Sequence, residues 1–281
     1  MIENQNKICY NIYTSQFRIG DLEMNEIICA QQLCKTFKIS AKQQRTEHTK
    51  EKIKKAVINL SFSVYEGEIF GLLGPNGAGK TTTLRMLSTL IRPTSGDAYI
   101  AGSSIVKEPD QVRGKIGFLT SELKPDEFFT PNELFDFFSD LHAVDNQTRK
   151  GRKTALFDTF GIGNFADTRI SDLSTGMKQK TALAISLVHD PDVIIFDEPT
   201  NGLDVLTAKT VTDFLLAQRQ RGKTIVVSTH IFSLIEKICD RVGIIINGQM
   251  TQCGDLKQIC DGKTLEDRFF DLYSETVGEK Q

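Results

Sequence analysis

Apolar residues recur in short runs along the chain, and polar or glycine-rich sequence follows each run. Such nearly continuous apolar runs are typical of strands that are buried on both faces of a parallel sheet. The predicted strands of this kind are residues 69–73, 116–119, 193–196 and 224–228. Residues 27–33 and 57–64 predict two further strands, and Glu66-Gly67 predicts the turn that ends the second one.

Helical patterns occupy the middle and the end of the chain. Thr130 to Glu133 form a capping box with proline at the first helical position, which predicts a helix start. The apolar positions that follow are more aromatic than a buried helical stripe requires. They are Leu134, Phe135, Phe137, Phe138 and Leu141. Residues 255–274 predict two closing helices.

These segments together predict an α/β fold with three parts. A mostly parallel central sheet with flanking helices forms the core. An antiparallel β-subdomain, from about residues 27–72 and 95–108, packs against it, and a helical subdomain spans about residues 122–180. The predicted organisation is a flexible N-terminal extension over 1–25, a main domain over 26–260, and a C-terminal helix and tail over 261–281.

Composition narrows the possible functions. The chain has 34 Lys and Arg against 36 Asp and Glu, so its net charge of −2 gives no general attraction for nucleic acid. Its six cysteines include no C-x-x-C pair, which indicates reduced thiols in a cytosolic protein. No apolar run approaches the roughly 18–20 residues of a spanning helix, and the start lacks a signal-peptide core. We therefore expect membrane contact only through a partner.

A glycine-rich loop directly follows the first buried run. Residues 74–81 match G-x-x-x-x-G-K-[ST], with a strand before the loop and a helix after it. Glycines let backbone N–H groups turn toward phosphate oxygens, and the following helix adds the positive end of its dipole. Lys80 offers a charge for the outer phosphates, and Thr81 offers a hydroxyl to Mg²⁺. The residues predicted to bind a nucleoside triphosphate are Gly74, Pro75, Asn76, Gly77, Ala78, Gly79, Lys80, Thr81 and Thr82.

Two acidic residues complete this candidate site. Asp197 and Glu198 follow the apolar run 193–196, at the carboxyl end of a predicted strand, where ligands bind in open α/β sheets. Asp197 can hold Mg²⁺ through water, and Glu198 can polarise the attacking water as a general base. The sequence therefore predicts hydrolysis of the bound nucleotide.

These residues, with two further motifs and two single residues, resemble the ATPases of ABC transporters. Residues 197–204, DEPTNGLD, resemble the Walker B segment and the D-loop, and residues 173–180, LSTGMKQK, resemble the signature motif, usually Leu-Ser-Gly-Gly-Gln. His230 corresponds to the switch histidine, and Phe37 to the aromatic residue that stacks on adenine. The motifs occur in family order, and the resemblance covers residues 26–260. The fold that it implies is a P-loop NTPase core.

The resemblance implies that two ATP-binding domains meet head to tail around two ATP. Ser174, Thr175 and Gly176 would point the signature helix at the γ-phosphate bound by Lys80 of a second copy or a paralogue. Asp204 would cross the interface and link the two sites. From the residues alone, Ser174 and Asp204 are also ordinary helix N-caps.

The remaining implied roles lie around the γ-phosphate. His230 would contact it and would hold the attacking water with Glu198, although a lone histidine is usually structural. A glutamine that bridges Mg²⁺ and the membrane partner is missing, and Ser121 stands at its expected place. Either Ser121 would hold a water near the metal, or the neighbouring Glu122 would bind the metal or repel the phosphates. The predicted metal ligands are therefore Thr81, Asp197 and Ser121. The signature departs from the family at two positions, Thr175 and Met177.

The resemblance also implies partners and a location. These are an integral membrane permease on a separate chain and a cytoplasmic position at the inner face of the cell membrane. The signature and residues 265–270 resemble the subunits of drug-resistance and sodium-efflux exporters, so we expect hydrolysis to power export. No residue specifies the substrate. The alternative, a non-transport ABC ATPase that acts on ribosomes or DNA, is disfavoured by the single phosphate loop and by the lack of heptads between Lys80 and Ser174.

Each of three further segments has more than one possible interpretation. Residues 38–55 are either a basic finger near anionic headgroups or a solvated loop between two antiparallel strands. Part of Phe128 to Phe138 either lines a groove for the permease or belongs to an ordinary subdomain core. Residues 1–23 are a flexible extension, a disordered tail, or sequence ahead of a true start at Met24.

Overall fold

The protein contains two sheets that pack face to face. A computed structural model of the chain describes residues 25–40, 44, 46, 50–120 and 126–278. Neighbouring strands of the larger sheet pair parallel, except that the last two strands along the chain pair antiparallel at one edge. In spatial order its strands are β10 (Gln249–Asp255), β9 (Arg241–Ile246), β3 (Ile69–Leu73), β8 (Thr224–Thr229), β7 (Val193–Asp197) and β6 (Ile116–Thr120).

Three central strands of the larger sheet bring the chemistry together. Every residue of β3, β7 and β8 is buried, as their apolar sequences predict. The strands run parallel, so their carboxyl ends meet at one edge of the sheet. The glycine-rich loop, the acidic pair and His230 all follow directly from these ends, and this edge carries the candidate site.

The smaller sheet is antiparallel and covers one face of the larger one. Its strands in spatial order are β2 (Ile53–Tyr65), β1 (Glu26–Lys38), β4 (Ser95–Ile100) and β5 (Ser103–Ser104). The rings of Phe62 and Phe70 stack between the sheets with centroids 5.4 Å apart. The predicted bound at residue 72 was wrong, because Ile69–Leu73 pairs parallel with β8 and β9 and belongs to the larger sheet.

Most helices cover the other face of the larger sheet, and among them α3 (Pro131–Leu141) and α4 (Asn146–Phe160) lie in the predicted helical subdomain. The helix that follows the glycine-rich loop and the short helix before β6 pack instead on the face that the smaller sheet covers. Helix α3 begins with the expected capping box, in which Thr130 Oγ1 accepts the N–H of Glu133 and Glu133 Oε2 accepts the N–H of Thr130. Within the described residues, no helix is both long and apolar enough to cross a membrane. The helices are α1 (Lys80–Leu87), α2 (Pro109–Lys115), α3 (Pro131–Leu141), α4 (Asn146–Phe160), α5 (Thr175–Ile185), α6 (Val205–Gln220), α7 (Phe232–Ile238), α8 (Leu256–Cys260) and α9 (Leu265–Gly278).

Candidate active site

The glycine-rich loop between β3 and α1 is shaped by close backbone contacts. Gly77 and Gly79 have φ angles of 81° and 108°, a region that favours glycine. A Cβ on Gly79 would lie 2.5 Å from the carbonyl oxygen of Ala56, and one on Gly74 would lie 2.3 Å from that of Ile245. Helix α1 begins without a side-chain cap, so its first N–H groups are left for a ligand such as phosphate.

Lys80 is folded back onto the loop that precedes it. Its ammonium donates to the carbonyl oxygens of Gly74 at 2.7 Å and Pro75 at 3.3 Å, and only 6% of the side chain is exposed. Burial lowers the pKa of Lys80, and the nearby carboxylates of Glu198 and Asp197 partly offset that effect. A buried cation thus lies at the base of the loop.

Asp197 ends β7 and accepts two hydroxyl groups. Thr81 Oγ1 donates to Asp197 Oδ1 at 3.1 Å, and Ser228 Oγ donates to the same oxygen. Only 2% of Asp197 is exposed. Hydroxyl and carboxylate oxygens in contact are the hard ligands that Mg²⁺ prefers, and Mg²⁺ usually takes its other ligands from water and phosphate. Thr81 and Asp197 therefore fit the predicted metal, whereas Ser121 and Glu122 lie outside the described residues.

Glu198 stands at the centre of the cluster. It has a left-handed backbone conformation with a φ of 53°, and its N–H donates to the carbonyl oxygen of Ser228. Its Oε1 lies 2.9 Å from His230 Nδ1 and 3.8 Å from Lys80 Nζ. Thr229 Oγ1 lies 3.3 Å from Oε2. With 12% of its side chain exposed, Glu198 can reach a water molecule at the mouth of the loop.

Phe37 lies on the antiparallel sheet beside the glycine-rich loop. It pairs with Lys54 of β2, two residues from the Ala56 carbonyl that packs against Gly79. Its ring is 40% exposed, and Lys35 Nζ lies 5.3 Å from the ring centroid. An exposed aromatic ring next to a phosphate loop can stack on a nucleobase. The stacking of Phe37 on adenine stays a prediction.

The signature residues lie on a separate helix start. Ser174 caps α5 by accepting the N–H of Met177 at 3.3 Å, and both Ser174 and Thr175 are exposed. A Cβ on Gly176 would meet no atom within 4 Å. Across the residues that the structure describes, no hydrogen bond or ion pair joins the signature to Lys80, Asp197 or Glu198. The chain therefore presents this helix start to solvent.

Asp204 caps α6 next to two exposed apolar side chains. Its Oδ1 accepts the N–H groups of Leu206 and Thr207, both at 3.0 Å, and the hydrogen bonds from Thr207 lower the pKa of Asp204. The adjacent Val205 and Leu206 are 84% and 77% exposed. This apolar pair was not predicted from the sequence, although two aliphatic residues at a predicted helix N-terminus were a visible signal.

A second exposed apolar surface lies on the helical subdomain. We call it the aromatic patch, and its members are Phe128 (84% exposed), Phe129 (39%), Phe137 (50%) and Leu141 (64%). The rings of Phe129 and Phe137 stack with centroids 6.5 Å apart, whereas Leu134 and Phe135 of α3 are buried. The excess of aromatic residues predicted from sequence therefore divides into a buried face and an exposed one.

The sequence is similar to ATP-binding subunits of known transporters. Residues 57–201 match the protein family described as "ABC transporter". The ABC transporter ATP-binding protein NatA of Bacillus subtilis is 36% identical over 229 residues, which are 81% of this chain and 93% of NatA. The daunorubicin/doxorubicin resistance ATP-binding protein DrrA of Streptomyces peucetius is 34% identical over 229 residues, 80% of this chain and 69% of DrrA.

Solved structures agree with this similarity. The structure of an ATP-binding subunit of an ABC transporter superposes with a TM-score of 0.77 at 25% identity, and the match covers 88% of this chain and 99% of that one. The ATP-binding cassette MJ0796, a dimer in a post-hydrolysis state bound to ADP and Pi, superposes with a TM-score of 0.72 at 26% identity. That match covers 82% of this chain and 98% of MJ0796.

Proposed function

The chain belongs to the ABC transporter family as an ATP-binding subunit that hydrolyses ATP, and from that premise we propose that two copies close around two ATP to power export through a separate membrane permease. ATP binding and hydrolysis follow from the family. The residue roles, the metal, the partners and the direction of transport form the proposal.

The observation that carries the proposal is the cluster at the ends of three neighbouring strands. Lys80 follows β3 and would bind the outer phosphates of ATP as a buried cation. Glu198 follows β7 and would take the proton of the attacking water while that water bonds to the γ-phosphorus and the bond from this phosphorus to the bridging oxygen of ADP breaks. His230 follows β8 and would donate to the γ-phosphate, since it lies 2.9 Å from Glu198 and is 42% exposed.

The same cluster supports a magnesium ion as the cofactor. Thr81 and Asp197 would hold it, because their oxygens already touch each other at 3.1 Å. When bound, Mg²⁺ supplies positive charge that neutralises charge developing on the phosphates. The chain's own contribution is to keep Asp197 buried and oriented by hydroxyl groups, so that it remains an acceptor for the ion or its waters.

Exposed residues of the site support dimerisation. Ser174 and Thr175 stand in solvent at a helix start, and open space surrounds Gly176. A helix N-terminus attracts phosphate, yet among the described residues no hydrogen bond or ion pair joins this one to Lys80 of its own chain. A second copy would bring its ATP to this helix, and Asp204 with its exposed neighbours would line the same interface.

The aromatic patch supports docking to a membrane permease. Phe128 and Phe137 expose large apolar surfaces on a subdomain whose buried side chains pack into the core beneath the larger sheet. Exposed apolar patches of this kind mark protein interfaces. The relatives named for drug resistance support export as the direction. We propose a cytoplasmic position at the inner face of the membrane because the permease would hold the chain there.

The test combines a trapped dimer with capture of its partner. Glu198→Gln should bind ATP, hydrolyse it at least about a hundredfold more slowly, and accumulate as an ATP-bound dimer, because the loss of a general base typically costs 10²–10⁴-fold. This variant, tagged and loaded with ATP, would be purified from gently solubilised cells. A stoichiometric integral membrane protein should copurify, identified by mass spectrometry.

A matched pair of variants shows whether the aromatic patch makes the contact. Phe137→Ser in the trapped protein should lose the membrane partner, whereas Phe270→Ser should keep it, since Phe270 is similarly exposed at 54% but lies on α9. Rapid turnover by Glu198→Gln would remove Glu198 as the base. Recovery of ribosomal proteins or DNA without a membrane protein would contradict the proposed role in transport, and the assignment of ATPase activity would remain.

A further inference from the structure

The hydroxyl of Thr229 lies behind the carboxylate of Glu198 and has no part in the function proposed above. Thr229 is the last residue of β8 and is completely buried. It is in register with Leu73 of β3, the residue before the glycine-rich loop, while its neighbour Ser228 is in register with Asp197 of β7. Thr229 is therefore held between the strand that leads to the phosphates and the strand that ends at the base.

The hydrogen bonds of Thr229 have a defined direction. Its Oγ1 accepts the N–H of Ile231 at 3.1 Å and lies 3.3 Å from Glu198 Oε2. A hydroxyl has one proton, and a carboxylate can only accept. Because Ile231 occupies an acceptor position on Oγ1, the Thr229 proton is directed to Glu198.

The two oxygens of Glu198 consequently have different partners. Oε1 faces His230 Nδ1 at 2.9 Å and Lys80 Nζ at 3.8 Å, and Oε2 faces only Thr229 among the hydrogen-bond donors of the described chain. The terminal torsion of a glutamate side chain has a broad energy minimum, so one contact does not fix the carboxylate plane. Contacts at both oxygens do.

We propose that Thr229 is a positioning residue for hydrolysis, which orients the Glu198 carboxylate toward the attacking water without touching ATP. The inference rests on the proposed role of Glu198 as the base. The backbone of Glu198 is already pinned by its N–H bond to Ser228, so loss of the hydroxyl changes the orientation of the carboxylate and leaves the strand end in place. The rate of hydrolysis should change, and ATP affinity should not.

The test compares two substitutions at this position. Thr229→Val keeps the shape and removes the hydroxyl, and its kcat should fall about tenfold to a hundredfold with ATP affinity unchanged, because a small misplacement of a catalytic group costs rates of this order. Thr229→Ser keeps the hydroxyl and removes a methyl group, and it should restore most of the rate. Thr212→Val, which removes a buried hydroxyl from α6, should hydrolyse ATP like the unsubstituted protein.

Each other outcome overturns the inference. An unchanged kcat in Thr229→Val would remove the positioning role, and an equal loss in Thr229→Ser would assign the effect to packing. A loss of ATP affinity in Thr229→Val would show that the substitution disturbs the structure of the binding site. Glu198→Gln in the same assay distinguishes failure of the proposed base from failure of the positioning role. If Glu198→Gln does not slow turnover, Glu198 is not the base. If Glu198→Gln is slow and Thr229→Val is normal, only the role of Thr229 is rejected.

Discussion

At the scale of single residues, Lys80 stabilises the glycine-rich loop. Its ammonium satisfies the carbonyl oxygens of Gly74 and Pro75, and it lies 3.8 Å from Glu198. ATP bound at this loop as proposed would therefore meet a cation that is already desolvated and oriented. Such a group gives charge-assisted hydrogen bonds without a large reorganisation.

Lys80→Ala should accordingly weaken ATP binding by about tenfold to a hundredfold, since hydrogen bonds to charged groups contribute about 1.5–3 kcal/mol. Isothermal titration with ATP and Mg²⁺ measures the effect. Lys223→Ala is the matched control, because the Lys223 side chain is also largely buried, at 13% exposed, but pairs with Asp190 and Asp192 instead. Equal affinity in Lys80→Ala and the unsubstituted protein would contradict the assignment of the loop.

At the scale of elements, two stacked histidines join α3 to the segment before β7. The rings of His142 and His189 lie 3.9 Å apart and nearly parallel. His189 Nε2 lies 2.9 Å from the carbonyl oxygen of Ile116, while Nδ1 has no hydrogen-bond partner within the described residues. Burial, with the neighbouring His142, lowers the pKa of His189 to about 4.

This arrangement predicts a loss of stability in mild acid. The unfolded chain binds a proton at His189 near pH 6.5, whereas the folded protein binds it only near pH 4. The stability that depends on neutral His189 is therefore present above pH 6.5 and is lost as the pH falls toward 4. The free energy of unfolding should be about 2 kcal/mol lower at pH 5 than at pH 7. Urea unfolding at both pH values measures it. In His189→Gln this part of the pH dependence should vanish, and identical pH profiles for the two proteins would contradict the argument.

Some features of these elements could be predicted from the sequence, and others could not. The glycine-rich loop, the acidic pair and the capping box at Thr130 were predicted because each is a local pattern whose chemistry lies within a few residues. The hydroxyls behind Asp197 and Glu198 and the stack of His142 on His189 were not, because they depend on which strands and helices are neighbours. The predicted bound of the antiparallel subdomain at residue 72 was wrong, although the apolar run of Ile69–Leu73 had itself predicted a strand of the parallel sheet.

At the scale of the whole molecule, the proposed dimer divides each site between two chains. Lys80 and Glu198 would come from one copy and Gly176 from the other. Gly176→Asp should place a negative charge against the γ-phosphate and still fold, because the position has open space for a side chain and an acid suits a helix start. Alone, this variant and Lys80→Ala should both be nearly inactive.

Mixed dimers of these two variants should regain activity. A heterodimer of Lys80→Ala with Gly176→Asp has one intact site of two, so its turnover should reach up to about half that of the unsubstituted dimer. Two affinity tags would isolate the heterodimer for an ATPase assay. The control pairs Lys80→Ala with Glu198→Gln, which damage both sites and should not recover. Recovery in the control, or none in the first pair, would contradict a site shared in this way.

The exposure of Val205 and Leu206 has a thermodynamic consequence for any such assembly. Water covers most of both side chains in the single chain. Association that removes this water lowers the heat capacity of the system, because apolar surface is buried. The enthalpy of joining two chains at this surface must therefore become more favourable as the temperature rises.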